Sequence, residues 1–525
     1  MATAESIWTW AHPLDDDRAR PRQRAWLTGR LTYLALASTA SRIAVRVSGV
    51  DADGARWSAS GVVALVAEGG DGADEITIEL PPEDPVNPGA GERAGLRSRL
   101  IERAPLLADG ARQSLLSLRH VGARMRHRVL AAPPVGDDVP AVAAPDAAPA
   151  AAPSAALVGM YWLGLGGAER WALRCAALVA EAGLLPVVLV DHPEHLEYLL
   201  HPDLDGALVL VGDLDDDEAA RRVLRRLAVL VDLRGVSIHH SHLVYRLLPE
   251  LTALRPGLAV VDSTHLVEWE DGGFPFVSAR HAALVQQHHV ISPPLADELV
   301  RLGVDRATIV VAPLLRLGGL GAAAAAPPAG RGERRDPLVL GFVGRLVAQK
   351  RPFLFLEIVR RLRAAAVPIR AIVHGDGPGL FRMRRLVSRW GMEDVVEFRS
   401  GRVPVRETYD EIDVLVITSQ AEGLTLTAME ATAHGIPVLS ADVGAQRALV
   451  PSGSLLPRFP RALVRTAVRR LRSLRVDPGH ALRTVAASRA LADRLRALPD
   501  AEEWAARTFR EWAAGDPSIP PTRAR

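Results

Sequence analysis

The chain has one cysteine, Cys175, in 525 residues. Neither an intrachain disulfide framework nor a cysteine zinc site is therefore open to it. Cys175 lies in an apolar stretch of helical spacing and reads as a core residue. No apolar run reaches the roughly 18 residues that a membrane-spanning helix needs. The first eight residues lack a basic segment followed by an apolar one, so no signal peptide is expected and a cytoplasmic location is the default. Charge of one sign is also missing. Lys and Arg total 63 against 61 Asp and Glu, a formal net charge of +2. That balance does not imply nucleic acid, although local basic faces remain open.

What is present is enough apolar sequence, 48%, to fold two or three domains. Residues 1–88 differ from the rest. Leu31–Leu36, Arg42–Val47 and Glu75–Leu80 are apolar or alternating at strand length, with glycine turns between them. They predict a small antiparallel β module. Residues 89–131 carry helical apolar spacing beside Arg119, Arg124, Arg126 and Arg128. Residues 132–155 are almost all Ala, Pro, Val and Asp and read as a linker. Residues 156–317 alternate short apolar runs with helical patterns, which argues for a parallel sheet covered by helices. A second Gly/Ala/Pro linker spans 318–336, and a second such series fills 337–475. Residues 476–525 read as C-terminal helices. The expected class is α/β, with two doubly wound Rossmann-like domains.

The candidate chemistry lies at strand ends of the second domain. Gly341–Lys350 ends a strand at Gly344 and places Arg345 and Lys350 five apart at a helix entrance. Two cations beside free N–H groups suit a diphosphate. His374-Gly375-Asp376-Gly377-Pro378 follows the next strand, where glycines would let a backbone approach a ligand. Ser419–Ala431 follows Val414–Ile417. Glu422 and Gly423 stand where that strand gives way to a helix, and Glu430 is eight residues on. Along a helix this is roughly 12 Å, enough for two carboxylates to grip both ends of a sugar joined to a ribose through a diphosphate. Either glutamate alone would more simply complement a helix dipole or meet solvent. No Asp, Glu or His cluster of metal-ligand spacing accompanies these motifs, so no metal ion and no other cofactor is expected. His239-His240-Ser241-His242 lacks a matching partner segment.

Gly344-Arg345 with Lys350, the His374–Pro378 turn, Val396–Phe398 before Gly401, Glu422 with Glu430, and Gly435–Ser440 together resemble the retaining glycosyltransferases of family 4, also called group 1. The likeness covers most of 156–475 and is strongest over 338–445. It implies the GT-B fold, in which two Rossmann-like domains face each other, the second holding the donor and the first the acceptor, without a metal ion. It further implies that Arg345 and Lys350 bind the diphosphate and that Glu422 contacts the transferred sugar. Glu430 would bind the ribose, and the segment about Arg402 would lie by the base. Gly344, Gly375, Gly377, Gly423 and Leu424 would complete the donor site. In the first domain Gly166 and Gly167 would face the cleft, His265 would stand near the reacting sugar, and His242 would lie on the acceptor side. The family's Asn-Gly before the linker is replaced by Val311–Leu315, and its Glu after the glycine near 444 is missing, with Ala448 about there. Residues 1–150 lie outside the pattern.

The resulting expectation is a retaining glycosyltransferase that moves a sugar from a nucleotide diphosphate sugar to a glycan or lipid-linked acceptor, in cell-envelope synthesis. The alternatives are a catalytically silent sugar-nucleotide-binding or scaffold protein and a sugar-nucleotide epimerase. On 461–475 an apolar row, Val464, Val468, Leu471 and Leu474, runs beside Arg461, Arg465, Arg469 and Arg472. An amphipathic helix packed on its domain is the simpler reading, and peripheral contact with an anionic membrane the sharper one.

Overall fold

The computed structural model describes residues 8–12, 20–38, 40–50, 56–65, 70–80, 109, 152–164, 166–193, 197–266, 273–320 and 336–515. The helical spacing expected over 89–131 and most of both linkers lie outside these residues.

The N-terminal module contains β1 (Trp8–His12), α1 (Pro21–Ala37), β2 (Ala40–Val50), β3 (Arg56–Leu65) and β4 (Gly70–Glu79). The sheet runs β1-β3-β2-β4, and β2 pairs antiparallel with β3 but parallel with β4, so it is mixed rather than antiparallel. Leu31–Leu36, expected as a strand, is the last part of α1. A six-residue apolar run fits either period, and the seventeen-residue span opened by Pro21 at the first turn decides for helix.

The first large sheet is built from β5 (Ser154–Met160), α2 (Gly167–Glu181), β6 (Leu185–Val190), β7 (Leu208–Val211), α3 (Asp217–Leu230), β8 (Asp232–His239), α4 (His242–Leu254), β9 (Ala259–Thr264), α5 (Gly273–Arg280), β10 (Gln287–Val290), α6 (Pro293–Arg301) and β11 (Ile309–Val311). Its order is β11-β10-β9-β8-β5-β6-β7, all parallel. β5 begins at Ser154, inside the stretch read as linker. Helix α1 lies along the edge strand β7. Arg30 donates to the carbonyls of Val211 and Gly212 at 3.1 and 3.0 Å, and Arg222 and Arg226 of α3 donate to Ala37 and Ala35 at the end of α1. The N-terminal module thus covers an edge that would otherwise present unpaired carbonyls.

The second large sheet follows as β12 (Leu338–Val343), α7 (Pro352–Ala364), β13 (Ile369–His374), α8 (Leu380–Arg389), β14 (Val396–Arg399), α9 (Val405–Glu411), β15 (Val414–Ile417), α10 (Leu426–Ala433), β16 (Val438–Ala441), β17 (Leu455–Leu456), α11 (Pro460–Val476), α12 (Pro478–Arg496) and α13 (Ala501–Ala514). It runs β14-β13-β12-β15-β16-β17, again all parallel. One face packs against α7, α8 and α11 through Phe355, Met383, Leu386, Leu463 and Leu471. The other face, with Tyr409 of α9 and Met429 of α10, is continuous with the apolar core of the first domain. The last helix returns to the first domain. Trp504 stacks on His289 at 4.8 Å, and a Cβ on Gly235 would lie 2.4 Å from the Trp512 ring.

Candidate active site

The second domain's strand ends are knitted together before any ligand is considered. Gly344 (φ 145°), Gly375 (φ 138°) and Gly377 (φ 146°) all have backbones that disfavour side chains. A Cβ on Gly375 would stand 2.1 Å from the Gly344 carbonyl oxygen, and one on Gly377 2.9 Å from the Leu346 nitrogen. These two glycines are required by two loops stacked backbone on backbone, a reason for glycine that the sequence reading did not give. The Asp376 carboxylate accepts from Ser400 and from the Gly401 amide at 3.0 and 2.7 Å. This holds the loop bearing Arg402, which is exposed, beside the glycine turn.

Arg351, which the sequence reading did not single out, fixes the loop that carries both cations. It is buried and left-handed, with φ 48°. Its guanidinium donates to the carbonyls of Thr418, Ser419 and Arg458 at 2.6, 2.9 and 2.9 Å. In return the Thr418 hydroxyl donates to the Lys350 and Arg351 carbonyls, and Gln349 donates to the Ala421 carbonyl. The turn after β15 is thereby bound to the turn after β12. Lys350 Nζ and Glu422 Oε1 consequently meet at 2.6 Å, with Glu422 7% and Lys350 22% exposed at the side chain. Lys350 is the only lysine in the chain.

Glu422 and Glu430 do not share a helix. Helix α10 begins at Leu426, so Glu422 lies in the preceding loop and the eight-residue helical separation does not apply. Gly423 explains the loop: a Cβ there would lie 1.8 Å from the His265 carbonyl oxygen of the first domain. Gly444 (φ 53°) lets the Glu422 carbonyl pass just as closely. Leu424 turns its side chain into the core, which leaves its backbone for any contact with a ligand. The buried Gln446 holds this turn, donating to the Gly423 carbonyl at 3.1 Å and to Thr425 Oγ1 at 3.0 Å. Thr425, at the N-cap, makes no side-chain bond to the helix amides. The first turn of α10 is therefore left without a side-chain cap where an anion would fit. Helix α4 is the opposite case, because the buried Asp191 already accepts from the His242 amide at 2.6 Å, the Leu243 amide at 3.2 Å and the Ser241 hydroxyl at 2.6 Å.

Glu430 sits in the second turn of α10 with both oxygens engaged. Tyr409 donates to one at 2.8 Å, and Arg170 of the first domain pairs with the other at 3.4 Å. Burial and then the Glu430 charge raise the Tyr409 phenol far above its usual range, so it stays a donor.

The first domain faces this set along α2. Gly166 is the N-cap of α2 and Gly167 its first residue, and a Cβ on Gly167 would meet Leu426 of α10 at 3.2 Å. Both glycines thus lie where the domains touch. A Cβ on Gly166 would strike the Glu169 carboxylate, which accepts from Trp162 Nε1 at 2.6 Å. Burial raises the Glu169 pKa, opposed by its own backbone and by the charge of Arg345. Arg345 itself lies 5.8 Å over the Trp162 ring. His265 is buried beside Ser263, at 3.0 Å, and burial drives its pKa well below the usual value, keeping it neutral. His240 stacks on Phe274 at 4.3 Å and His242 packs on the same ring at 4.6 Å, with Tyr161 at 6.2 Å. His239 bonds Ser237 instead. Among the described residues no three His, Cys, Asp or Glu side chains are grouped to hold a metal ion.

The structure thus brings Lys350 to Glu422, Gly423 to His265, Gly167 to α10, and Glu430 to Arg170. It places Arg345 on the first domain's Trp162, and it leaves Arg402 on the exposed rim. Trp162, Glu169, Arg170, Arg351, Tyr409 and Gln446 were not foreseen. Glu169 and Arg170 directly follow the glycine turn and were the nearest to being legible.

Residues 328–467 match the family model described as glycosyl transferases group 1. The chain is 33% identical over 133 residues to a D-inositol 3-phosphate glycosyltransferase of Gordonia bronchialis, covering 23% of this chain and 29% of that one. A D-inositol 3-phosphate glycosyltransferase of Streptomyces coelicolor is 31% identical over 212 residues, 38% of this chain and 46% of that one. The chain therefore spans less than half the length of these curated relatives. Among solved structures, Anabaena HepE in complex with UDP and glucose aligns over 69% of this chain and 98% of its own, at 16% identity and a TM-score of 0.50. A glycosyltransferase from Rickettsia africae aligns over 69% and 99%, at 12% identity and a TM-score of 0.51. The two facing Rossmann-like domains are the GT-B architecture.

Proposed function

From a group 1 segment set in a GT-B frame, we propose that the protein is a retaining glycosyltransferase that moves a sugar from a nucleotide diphosphate sugar to an acceptor hydroxyl, in the building of a cell-envelope glycan or glycolipid. The observation that carries this reading is the Lys350–Glu422 contact beside the uncapped N-terminus of α10, directly across from His265. In this reading the diphosphate lies against Arg345, Lys350 and the first-turn amides of α10. These groups stabilise the charge that develops as the anomeric C–O bond breaks. Glu422 hydrogen-bonds the transferred sugar, with neutral His265 on its far side. Glu430 holds the ribose, its carboxylate aligned by Tyr409. The acceptor hydroxyl attacks from the face of the departing phosphate and yields its proton to a phosphate oxygen. No metal is assigned a role, since the cations would carry the electrostatic work. The acceptor lies toward Tyr161, His242 and Phe274, where aromatic faces suit the apolar side of a sugar ring. Location is proposed to be cytoplasmic.

The decisive experiment is a thermal-shift screen of UDP-, GDP- and ADP-sugars, followed by NMR of the product's anomeric configuration. Stabilisation by one donor class, slow donor hydrolysis and product of retained configuration are expected. Interconversion of free sugar nucleotides would replace this reading with an epimerase, and no binding by any donor would remove it.

A further inference from the structure

We infer that the outer face of the second domain, made by α7, α8 and α11, is a docking surface for an anionic lipid bilayer. The inference does not rest on the transferase reading. These three helices cover one side of the sheet and bury a common apolar layer. Their outward residues are overwhelmingly of one sign. α7 carries three arginines, α8 four and α11 six, and the sole acid in all three helices is Glu357. Glu357 is already shared between Arg360 and Arg361, and at the rim Asp394 pairs with Arg363 and Asp336 with Arg475. The α11 flank of the face is left cationic. Arg461, Arg465, Arg469 and Arg472 are all exposed and form one row on α11. None has an ion pair among the described residues. In a chain with a net charge of only +2 these three helices hold thirteen arginines against one acid.

Apolar residues accompany the charge. Val476 continues the α11 row and is 82% exposed, and Phe459, at the N-cap of that helix, is 60% exposed. Phe381 on α8 is 45% exposed, in one row with Arg385 and Arg389. Nucleic acid would be met by the arginines alone. Protruding Phe and Val beside them suit an interface with charged headgroups above and acyl chain below. No helix among the described residues is long and apolar enough to cross a membrane, so the contact would be peripheral.

The test is co-flotation of the full chain with vesicles of phosphatidylcholine alone and with about 30% phosphatidylglycerol. Binding to the anionic vesicles only, weakening steeply with salt, is expected. The quadruple variant R461A/R465A/R469A/R472A should lose on the order of several-hundred-fold in partition, at about fivefold per arginine. The four-lysine version should retain it. An unchanged melting temperature in both variants confirms that the fold survives. Phe459→Ser with Val476→Ser, which leaves the charge unchanged, should weaken flotation while leaving heparin retention intact. Equal binding to neutral vesicles, or undiminished flotation of the quadruple variant, would overturn the inference. So would tighter binding to duplex DNA than to the anionic vesicles at the same salt.

Discussion

Replacing Lys350 with Met keeps the stem and removes the charge, which isolates what the ammonium does for Glu422. At an effective dielectric near 20, opposite charges about 4 Å apart attract by about 4 kcal/mol. Desolvation of both groups offsets much of this, so the pair's net worth is smaller. Removing one partner is different, because it strands a carboxylate that is only 7% exposed. Unpaired buried charges cost about 3–5 kcal/mol. Lys350 retains 22% exposure in an open cleft, which reduces the expectation to about 2–3 kcal/mol. At about 2–4 °C per kcal/mol for a domain of this size, the melting temperature of the ligand-free protein should fall by about 5–10 °C. Lys350→Met with Glu422→Gln removes both charges and should recover most of that loss. Neither protein should bind a nucleotide diphosphate as wild type does, since the phosphate contact is gone in both. Calorimetric unfolding of the four proteins of the cycle, beside isothermal titration with UDP, GDP and ADP, measures the two effects separately. A single variant as stable as wild type, or a double variant no more stable than the single, would refute the reasoning.

Arg345→Ala should weaken nucleotide diphosphate binding by about 1.5–3 kcal/mol, and unchanged affinity by titration would remove it from the donor site. Glu430→Gln should weaken binding of the bare nucleotide diphosphate, while Glu422→Gln should spare it and lower single-turnover transfer; equal loss of nucleotide binding in both would reverse the assignment along the donor. Gly423→Ala should lower transfer sharply, because the added carbon must push the His265 backbone away, and a variant of wild-type rate would show the two loops to be free of each other. Stability should fall on acidification: burial holds His239, His240 and His289 near 3, 4 and 4 and His265 well below its usual value, so only the unfolded chain protonates these four just below pH 6.5. Asp191, raised to about 7, and Glu169, also raised by burial, oppose this with up to two protons, so the unfolded state binds about two more near pH 5 and the loss is on the order of 3 kcal/mol per pH unit; urea midpoints at pH 7, 6 and 5 that stay level would contradict it.

The parallel strands were legible because buried strands of this kind are short apolar runs bounded by turn residues. Val414–Ile417 was read with the bounds it has. Leu31–Leu36 was not legible, since six apolar residues carry no period. The motif residues Lys350, Glu422, Gly423 and Glu430 were named from the sequence. The partners that define their geometry were not, because those partners are tertiary. Arg170 reaches Glu430 across 260 residues of sequence, and Arg351 reaches Thr418 and Ser419 across 67 and 68. Nothing in the sequence marks Gln446, whose amide donates to Gly423 and Thr425 only once the chain has folded. The return of α13 to the first domain was equally hidden, as residues 476–525 read only as C-terminal helices.

A chain with one lysine carries a built-in chemical address. Besides the N-terminal amine, Lys350 is the only primary amine that an acylating reagent can meet. Glu422 holds it at 2.6 Å, so its modification rate is set by how often that pair opens. A lysine-specific endoprotease likewise has one bond to cut, between Lys350 and the buried Arg351. The rate of acylation or of this single cleavage is a label-free clock on the cleft, read by mass spectrometry on the native sequence. Any small molecule that occupies the cation pair will slow it.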